Sequence, residues 1–223
     1  MSHFRIRRYQ EEDFEAVWDI FTRGTLEHVP ITFRHLLKQA RTYLLLLGIP
    51  LALFVGSKPI FPGLLALPVL LAATWFIIRL PWTDYIKNAR RTDMSDIRKF
   101  YLSEEGSCFW VAESAGRVVG MVGCLPEEGP TRGGKKLQLL HMYVDRGHRG
   151  RGIAKALART LLQFARARGY AEVTLTTSSV QYAAHRLYES LGFFKVRESF
   201  CSLSWRLVAI PFFHYKYPIP PLP

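Results

Sequence analysis

Residues 153–165 have the spacing of an amphipathic helix, because apolar side chains recur there every three or four positions. The apolar positions are Ile153, Leu157, Leu161, Phe164 and Ala165. The run before it, residues 137–144, is apolar and rich in β-forming residues, which predicts a strand. Gly150 and Gly152 lie between the two runs. The pattern therefore predicts a strand, a glycine-containing turn and a helix, in that order.

Further elements are predicted downstream of this unit. The β-branched run at residues 172–177 predicts a strand. Residues 182–191 predict a helix that Gly192 ends as a C-cap. Two more strand-like runs, residues 193–200 and 202–210, are expected to close the sheet.

The longest apolar stretch covers residues 42–78 and carries one charge, Lys58. Residues 56–59 divide it into two halves. The second half, residues 60–80, has 21 residues, which at ~1.5 Å per residue is enough to cross a hydrocarbon core of ~30 Å. The first half, residues 43–55, is short for a span. Lys and Arg flank the stretch on both sides, as they do at cytosolic ends of membrane segments.

The order of the elements favours a hairpin over a single membrane span. Residues 4–9 predict a first strand and residues 11–22 a first helix. If that strand joins the sheet formed after residue 100, both ends of the apolar stretch must lie on one side of the membrane. Residues 42–80 are therefore predicted to form a membrane hairpin with both flanks in the cytosol. The alternatives are a buried helical hairpin in a soluble fold, or a single span that keeps the first strand out of the sheet.

The predicted organisation has four parts. Residues 1–41 supply the first strand and helix, residues 42–80 the hairpin, and residues 81–210 the core of the folded domain. Residues 211–223 form a tail rich in proline and aromatic residues that is not expected to fold alone.

The net charge and the positions of the basic residues indicate which kinds of partner the chain binds. The formal net charge is +12, with 30 Lys and Arg against 18 Asp and Glu. The basic residues cluster at 79–99, beside the apolar stretch, and at 146–168, around the turn and helix. They are not interleaved with aromatic residues, so a membrane surface and an anionic ligand are expected rather than nucleic acid. The three cysteines, Cys108, Cys124 and Cys201, match no disulfide or metal-ligand pattern, so no metal is predicted.

The glycine-containing turn has the chemistry of a pyrophosphate site. Glycines leave the backbone open to a phosphate, and the helix N-terminus presents N–H groups and the positive end of its dipole. Arg146, Arg149 and Arg151 add positive charge. The turn matches neither the P-loop nor the Rossmann pattern. It matches Q/R-x-x-G-x-G/A, as R-G-R-G-I-A at residues 149–154.

That motif is the acetyl-CoA signature of the GNAT N-acetyltransferases, and the chain resembles this superfamily. Residues 184–193, A-H-R-L-Y-E-S-L-G-F, are similar to its A-x-x-L-Y-x-x-x-G-F segment. The resemblance covers about residues 93–210 together with the first strand and helix. With the apolar insertion between the first and second helices, the chain resembles the camello or N-acetyltransferase-8 family, whose members are associated with the endoplasmic reticulum.

The resemblance implies an α/β fold with a mixed, mostly antiparallel sheet of six or seven strands. Acetyl-CoA is then the co-substrate, bound in the opening between the fourth and fifth strands, and residues 81–210 hold the GNAT catalytic core. The implied contacts with acetyl-CoA are Val144, Arg149, Gly150, Arg151, Gly152, Ile153 and Ala154. The implied location is the membrane of the endoplasmic reticulum, or of the ER–Golgi system, with the catalytic domain facing the cytosol.

Two side chains are the leading candidates for proton transfer. Tyr188 is implied to protonate the departing thiolate, and the alternative is a core tyrosine. His141 lies on the strand before the turn. A histidine ordinarily titrates near pH ~6.5 and can accept a proton at cytosolic pH, so His141 is a candidate base. The alternative is a structural histidine of the strand.

Several other residues compete for roles near the substrate. Glu127 and Glu128 are alternative bases, or they belong to a solvated loop. Residues 176–178, Thr-Thr-Ser, are expected either to line the substrate side of the fifth strand or to serve only as strand residues. His185 is expected to be helical and exposed.

The expected reaction is transfer of acetyl from acetyl-CoA to a primary amine by direct attack, because no cysteine lies in the motif to form an acyl-enzyme. The resemblance implies two acceptor classes: the α-amine of cysteine S-conjugates, giving mercapturic acids, and protein lysines, including those of histones. A small amphipathic amine suits a membrane-proximal site better. An alternative from another class is an inactive, membrane-anchored binding protein that acts in adhesion or trafficking.

Overall fold

A seven-stranded mixed sheet organises the protein. The computed structural model describes residues 4–56, 61–103, 105–127 and 134–220. The strands are β1 Arg5–Arg8, β2 Cys108–Ser114, β3 Arg117–Pro126, β4 Lys136–Val144, β5 Glu172–Ser178, β6 Phe194–Ser199 and β7 Phe212–Pro218. Their order across the sheet is β1, β2, β3, β4, β5, β7, β6. Neighbouring strands are antiparallel except β4 and β5, which are parallel. The predicted fold class is confirmed.

The helices cover both faces of this sheet. Those of the described residues are α1 Phe14–Leu26, α2 His28–Leu37, α3 Ala40–Gly56, α4 Phe61–Arg91, α5 Ile153–Ala167, α6 Tyr182–Ser190 and α7 Leu203–Leu207. Successive residues of a strand point to opposite faces. Cys108 and Trp110 of β2 therefore pack on the side of α5, and Phe109 and Val111 pack on the side of α1 and the end of α4.

β4 and β5 pair only over their first halves. Lys136–Leu139 pairs with Glu172–Leu175, whereas β4 continues to Val144 and β5 to Ser178. The two strands separate toward their carboxyl ends as a result. This opening lies where the sequence predicts the ligand, immediately before the turn that leads into α5.

A β-bulge interrupts β4 at the same level. Met121 and Gly123 of β3 stand opposite Tyr143 and Leu140, so one residue of β3 faces two of β4 between these pairs. His141 is the first of the two and has a φ of +49°. A bulge re-aims the side chains next to it. Here the imidazole of His141 is buried on the side of α1 and α4.

The predicted apolar stretch forms two helices, α3 and α4, that pack on each other. Many of their apolar side chains are exposed, including Leu44, Leu47, Leu51, Val55, Leu65, Val69, Phe76 and Ile77. In the described part of the chain, Leu65–Arg91 is long and apolar enough to cross a membrane. Glu11–Leu37 and Ala40–Gly56 meet the same criterion together, across a bend of 76°. α4 also continues to Arg91, well past the predicted end at residue 80.

The predicted strand at residues 202–210 is wrong. Leu203–Leu207 forms α7, preceded by the extended residue Ser202. Trp205 and Val208, three positions apart, both join a buried cluster, which is helical spacing. The Trp205 ring packs edge-on against that of Trp82 on α4, with 4.8 Å between the centroids. Packing against α4 therefore decides the conformation of this segment.

The proline-rich tail supplies a strand instead. Residues 212–218, which were not expected to fold alone, form β7 between β5 and β6 and pair with both. Alternate aromatic residues of β7, Phe213, Tyr215 and Tyr217, pack into the main core. Pro211 and Pro218 stand at the ends of the strand, where they leave the ladder between them intact. The folded domain therefore extends past the boundary predicted at residue 210.

Candidate active site

The turn before α5 presents an open helix N-terminus. Gly152 caps the helix with a φ of +82°, and Gly150 has a φ of +76°. A Cβ added to either glycine would meet no described atom within 4 Å. The first N–H groups of a helix have no acceptor inside it, and the cap residue offers no side-chain acceptor. The turn therefore fits an anion such as a pyrophosphate.

The other predicted contacts of this turn differ in what they offer a ligand. Arg151 is exposed, so its charge is available. Ile153 is buried in the core and packs with Leu157 and Leu161. Only its backbone N–H, which points toward the helix N-terminus, remains for a ligand. Ala154 is half-buried and adds a second N–H of the same kind.

Arg149 uses its side chain within the protein. Its Nε donates to the carbonyl oxygen of Val144 at 3.0 Å, and its Nη1 lies 2.7 Å from Oε2 of Glu27. The guanidinium therefore ties the end of β4 to the junction of α1 and α2. The predicted contact of Arg149 with acetyl-CoA is therefore left to its backbone. Its side chain holds the shape of the loop.

A cavity of about 440 Å³ lies beside this turn, between α1 and the end of β4. Its walls include Gly24, Glu27, Val144, Arg146 and Arg149. The close approach of the two elements depends on Gly24, because a Cβ there would lie 2.5 Å from the ring of Tyr143. The cavity lies next to the turn, and its volume is within the range of small-molecule sites.

His141 lies in a buried polar cluster beneath α4. Its Nε2 is 2.6 Å from Oδ2 of Asp93, and its Nδ1 is 3.3 Å from the hydroxyl of Tyr85 on α4. The hydroxyl of Tyr101 donates to the same oxygen of Asp93. The ring of Phe21 packs edge-on against the imidazole at 5.2 Å. The side chain of His141 is 4% exposed, so it is held in one orientation.

The carboxyl group of Asp93 is ionised in this cluster. Burial by itself raises its pKa, but the hydrogen bond and charge of His141 and the hydrogen bonds of Tyr101 and Thr92 outweigh burial and lower the pKa to about 2. An anionic Asp93 can stabilise a positive charge on His141. The cluster therefore has the form of a base held by a carboxylate, as sequence reasoning expected for His141 alone.

Tyr188 is buried on α6, between the rings of Phe193 and Tyr215. Burial, and secondarily the phenol of Tyr143, raise the pKa of Tyr188 well above its ordinary value. A tyrosine in this state stays protonated at neutral pH and can donate a hydrogen bond to a ligand atom.

Three of the remaining candidates, Glu127, Thr176 and Thr177, form hydrogen bonds within the protein. Glu127 accepts a hydrogen bond from Thr174 at 2.7 Å, and Glu128 lies outside the described residues. Thr176 bonds with His214, and Thr177 with Gln181. Ser178 is buried, and its Oγ has no partner among the described atoms. The structure thus leaves His141 as the candidate base with the most developed surroundings.

The prediction that His185 is exposed is wrong. It is half-buried, its Nδ1 lies 3.0 Å from the hydroxyl of Tyr215, and its Nε2 lies 3.0 Å from the carbonyl oxygen of Ser178. Burial lowers its pKa. The cause of the difference is β7, whose aromatic residues cover this side of α6.

The cysteines lie apart from the turn and the bulge. Cys108 and Cys124 are buried opposite each other on β2 and β3, and burial raises the pKa of both thiols. Cys201 is exposed in the segment before α7. The described residues contain no group of three or more His, Cys, Asp and Glu side chains arranged to hold a metal ion.

Sequence reasoning missed Asp93, Tyr85 and Glu27. Asp93 and Tyr85 are 48 and 56 positions from His141, and Glu27 is 122 positions from Arg149. No periodic pattern links residues so far apart. Tyr85 does stand out in the sequence as an aromatic residue beside the apolar stretch, but that position alone indicates a membrane interface.

Comparison with known proteins agrees with this arrangement. Residues 74–193 match the family described as Acetyltransferase (GNAT) family. The chain is 53% identical to human N-acetyltransferase 8B over 220 residues. This match covers 99% of this chain and 97% of that protein. The chain is also 50% identical to rat N-acetyltransferase 8 over 220 residues, 99% of each chain.

Solved structures share the fold at low sequence identity. A GNAT-family acetyltransferase from Staphylococcus aureus Mu50 superposes with a TM-score of 0.60 at 16% identity, over 98% of this chain and 100% of that one. A Salmonella typhimurium protein solved with its cofactor acetyl-CoA gives a TM-score of 0.55 at 16% identity, over 97% and 94% of the two chains.

Proposed function

This chain belongs to the acetyltransferase (GNAT) family, within its N-acetyltransferase 8 group, and is an acetyl-CoA-dependent N-acetyltransferase; we propose that its acceptor is the α-amine of a cysteine S-conjugate. The observation that carries the acceptor proposal is the contact of Tyr85 with His141. It places the candidate base beside α4, about one turn past Phe76, Ile77 and Leu80, the last exposed apolar side chains of that helix before Tyr85. An amine attached to an apolar group could therefore approach the base from the apolar end of the helix.

The residues of the turn fit acetyl-CoA. The free N–H groups at the start of α5 and the open space at Gly150 and Gly152 suit its pyrophosphate. Arg151 adds an exposed positive charge. When bound, acetyl-CoA supplies an activated acetyl group. Val144, at the separated end of β4, supplies backbone beside the same opening.

The proposed reaction is direct attack by the amine. His141 accepts the proton that the acceptor ammonium must lose, and the carboxylate of Asp93 stabilises the imidazolium that forms. Tyr188 donates a hydrogen bond to the sulfur as the thiolate leaves. A thiol ordinarily has a pKa near ~8.5, below the raised pKa of Tyr188. Transfer of the Tyr188 proton to the thiolate is therefore unfavourable by itself. It becomes favourable when the Tyr188 oxygen receives another proton at the same time.

Charge supports a small conjugate over a basic peptide. Acidic residues near the cleft are already occupied: Glu27 pairs with Arg149, Asp93 with His141, and Asp145 with His148. A lysine-rich peptide would need free carboxylates for its flanking charges. The α-amine of an S-conjugate needs only the base and an apolar surface.

We also propose that residues 42–80, the apolar parts of α3 and α4, form a hairpin in the membrane of the endoplasmic reticulum or the ER–Golgi system, with the catalytic domain in the cytosol. The exposed apolar side chains of both helices support this. So does the pairing of β1, which precedes the helices, with β2, which follows them. Basic residues on both flanks support a cytosolic position of the two ends.

A panel of acceptors tests the proposed substrate. Release of coenzyme A would be measured with S-benzyl-cysteine, with S-methyl-cysteine as the matched acceptor without an apolar tail, and with a histone-tail lysine peptide. We expect kcat/KM to be at least about tenfold higher for S-benzyl-cysteine than for either of the others, since a buried benzyl group contributes about 1.5–3 kcal/mol. Faster acetylation of the lysine peptide would assign the protein-lysine alternative. Absence of coenzyme A binding in calorimetry would favour the inactive binding protein.

A further inference from the structure

On the face of α4 that packs against the folded domain, Tyr85 is more exposed to solvent than its neighbours. Ile78, Trp82 and Ala89 lie on this face at helical spacing with Tyr85 and are each at most 3% exposed, whereas Tyr85 is 39% exposed. The ring of Tyr85 packs against Phe21 of α1 at 5.7 Å, so it faces inward like its neighbours. The protein surface is therefore open at the position where Tyr85 reaches the bulge of β4.

His141 is behind this opening and cannot reach a substrate by itself. Its side chain is 4% exposed, and Phe21 and Tyr101 pack edge-on around its ring. Tyr85 is the partly exposed residue of α4 beside the imidazole, and its hydroxyl lies 3.3 Å from Nδ1. A base enclosed in this way needs a polar group to carry protons to it.

Asp93 determines which nitrogen of the imidazole is free to accept a proton. A carboxylate accepts hydrogen bonds and does not donate them, so the nitrogen 2.6 Å from Oδ2 of Asp93, Nε2, carries the hydrogen. Nδ1 then has the lone pair and accepts from the hydroxyl of Tyr85. The hydrogen bonds of Tyr101 and Thr92 hold the Asp93 carboxylate in place. The titratable groups that face the imidazole are Asp93, Tyr101 and Tyr85.

We propose that Tyr85 is a catalytic residue whose hydroxyl contacts the acceptor amine and passes its proton to His141, and that Asp93 is the positioning residue that fixes the tautomer. This inference rests on the proposed function. The ammonium N–H bond breaks as a proton moves to the oxygen of Tyr85, and the original Tyr85 O–H bond breaks as its proton moves to Nδ1. The freed amine attacks the acetyl carbon. The C–N bond then forms and the C–S bond breaks. The sulfur takes the hydroxyl proton of Tyr188, and the second proton of the nitrogen moves to the oxygen of Tyr188 in its place. The imidazolium returns the first proton to solvent.

The substitution Tyr85→Phe tests the relay, because phenylalanine keeps the ring that packs against Phe21 and removes only the hydroxyl. We expect kcat with the best acceptor of the panel to fall by about 10²-fold, the lower range for general-base catalysis. The affinity for coenzyme A should stay within twofold. The loss should shrink as pH rises, since more of the acceptor is then free amine. Tyr182→Phe, on an exposed tyrosine of α6, is the matched control and should leave kcat unchanged.

The substitution Asp93→Asn tests the positioning role. An amide can donate to Nε2 and so place the imidazole hydrogen on Nδ1, where it blocks acceptance from Tyr85. We expect kcat to fall at least about tenfold, while the KM for the acceptor and the affinity for coenzyme A stay within twofold, because Asp93 acts through His141 and contacts neither ligand. A merely structural Asp93 would change the affinity for coenzyme A together with kcat.

The two levels of proposal fail in different ways. A wild-type protein that binds coenzyme A but acetylates no member of the panel would refute the proposed function. A wild-type protein that is active on the panel, together with an equally active Tyr85→Phe variant, would refute the relay and leave the proposed function standing.

Discussion

Arg149 and Glu27 join the turn before α5 to the junction of α1 and α2. The guanidinium Nη1 lies 2.7 Å from Oε2 of Glu27, while Nε donates to the carbonyl of Val144 at 3.0 Å. The side chains are 46% and 31% exposed, so the ion pair itself contributes at most about 1 kcal/mol to stability. Its importance lies in the shape of the cavity wall rather than in folding energy.

Two substitutions of Arg149 should show whether acetyl-CoA binding depends on the loop shape that its side chain holds or on its positive charge. In Arg149→Gln an amide can still donate to the Val144 carbonyl, whereas Arg149→Ala loses both contacts. We expect the KM for acetyl-CoA to rise about 3- to 10-fold in the alanine variant, corresponding to one lost hydrogen bond of about 0.5–1.5 kcal/mol. It should stay within twofold in the glutamine variant and in Glu27→Gln. Equal losses in Arg149→Gln and Arg149→Ala would show that the charge contacts the phosphates directly.

Binding of acetyl-CoA should require glycine at position 152. In Gly152→Glu a carboxylate would enter the open space before α5, so we expect acetyl-CoA binding in calorimetry to be abolished. The substitution also strains a φ of +82°, at a cost of about 1 kcal/mol. Gly169→Glu is the matched control, since Gly169 also has positive φ, +71°, and open space around it, but lies past the other end of α5. Near-normal binding by Gly152→Glu would show that the site lies elsewhere.

Tyr188→Phe should reduce turnover without weakening acetyl-CoA binding. Phenylalanine fills the same space between the rings of Phe193 and Tyr215, so folding should be little affected. We expect kcat to fall about 10- to 10²-fold, the effect of losing one proton donor, with coenzyme A affinity within twofold. Steady-state kinetics and calorimetry measure the two quantities. An unchanged kcat would make Tyr188 a core residue only.

Sequence predicts the parts of this site that are local in the chain. The turn with Gly150 and Gly152 lies between a strand and a helix with clear periodicity, so its place before α5 follows from neighbouring residues. The cluster of Asp93, His141 and Tyr85 depends on three segments that meet only in the folded protein. Its geometry also needs the bulge in β4, and no residue pattern in that strand signals a bulge.

The error in the last strand has a physical cause. Composition indicates that residues 211–223 do not fold alone, and the strand-like run at residues 202–210 takes the place of the last strand in the prediction. The alternating aromatic residues of β7 are a strand signal, and the prolines that obscured it lie at its ends, at 211 and 218. Trp205 and Val208 then pack on α4, which leaves that segment helical.

His28 should make stability depend on pH. It lies on α2, where Gln181 donates to its Nε2 at 2.9 Å. Burial lowers its pKa to about 4, with Arg149 adding to the effect and Glu27 opposing it. An unfolded histidine titrates near ~6.5, so between pH 6.5 and 4 the unfolded chain binds a proton that the folded protein does not. The folded state is therefore fully favoured above pH 6.5 and loses stability as pH falls toward 4.

We expect this loss to reach up to about 3 kcal/mol at pH 4, at 1.36 kcal/mol for each pKa unit. Denaturant unfolding in detergent at pH 7.5, 6, 5 and 4 measures it. His28→Gln keeps a polar side chain but cannot titrate, so the difference between the two proteins should change with pH by this amount. A difference that stays constant across the series would assign the pH dependence to other groups.

The pairing of β1 with β2 predicts the sidedness of both termini. Arg5 of β1 stands opposite Glu113 of β2 in the ladder, and their side chains form an ion pair at 3.1 Å. The chain leaves β1, passes through α3 and α4, and returns to β2. Strands on opposite sides of a bilayer cannot pair, so a membrane-inserted α3 and α4 must bring the chain back to the side from which it started.

Protease added to sealed microsomes tests this directly. Tags at the amino and carboxyl termini should both be digested, because the hairpin places both on the cytosolic side. The matched control is a luminal protein of the same microsomes, which should stay intact until detergent is added. Protection of one tag alone would indicate a single span, which would separate β1 from β2 and remove α1, with Phe21, from the His141 cluster. Protection of both would place the domain in the lumen, and acetylation would then require acetyl-CoA to be carried across the membrane.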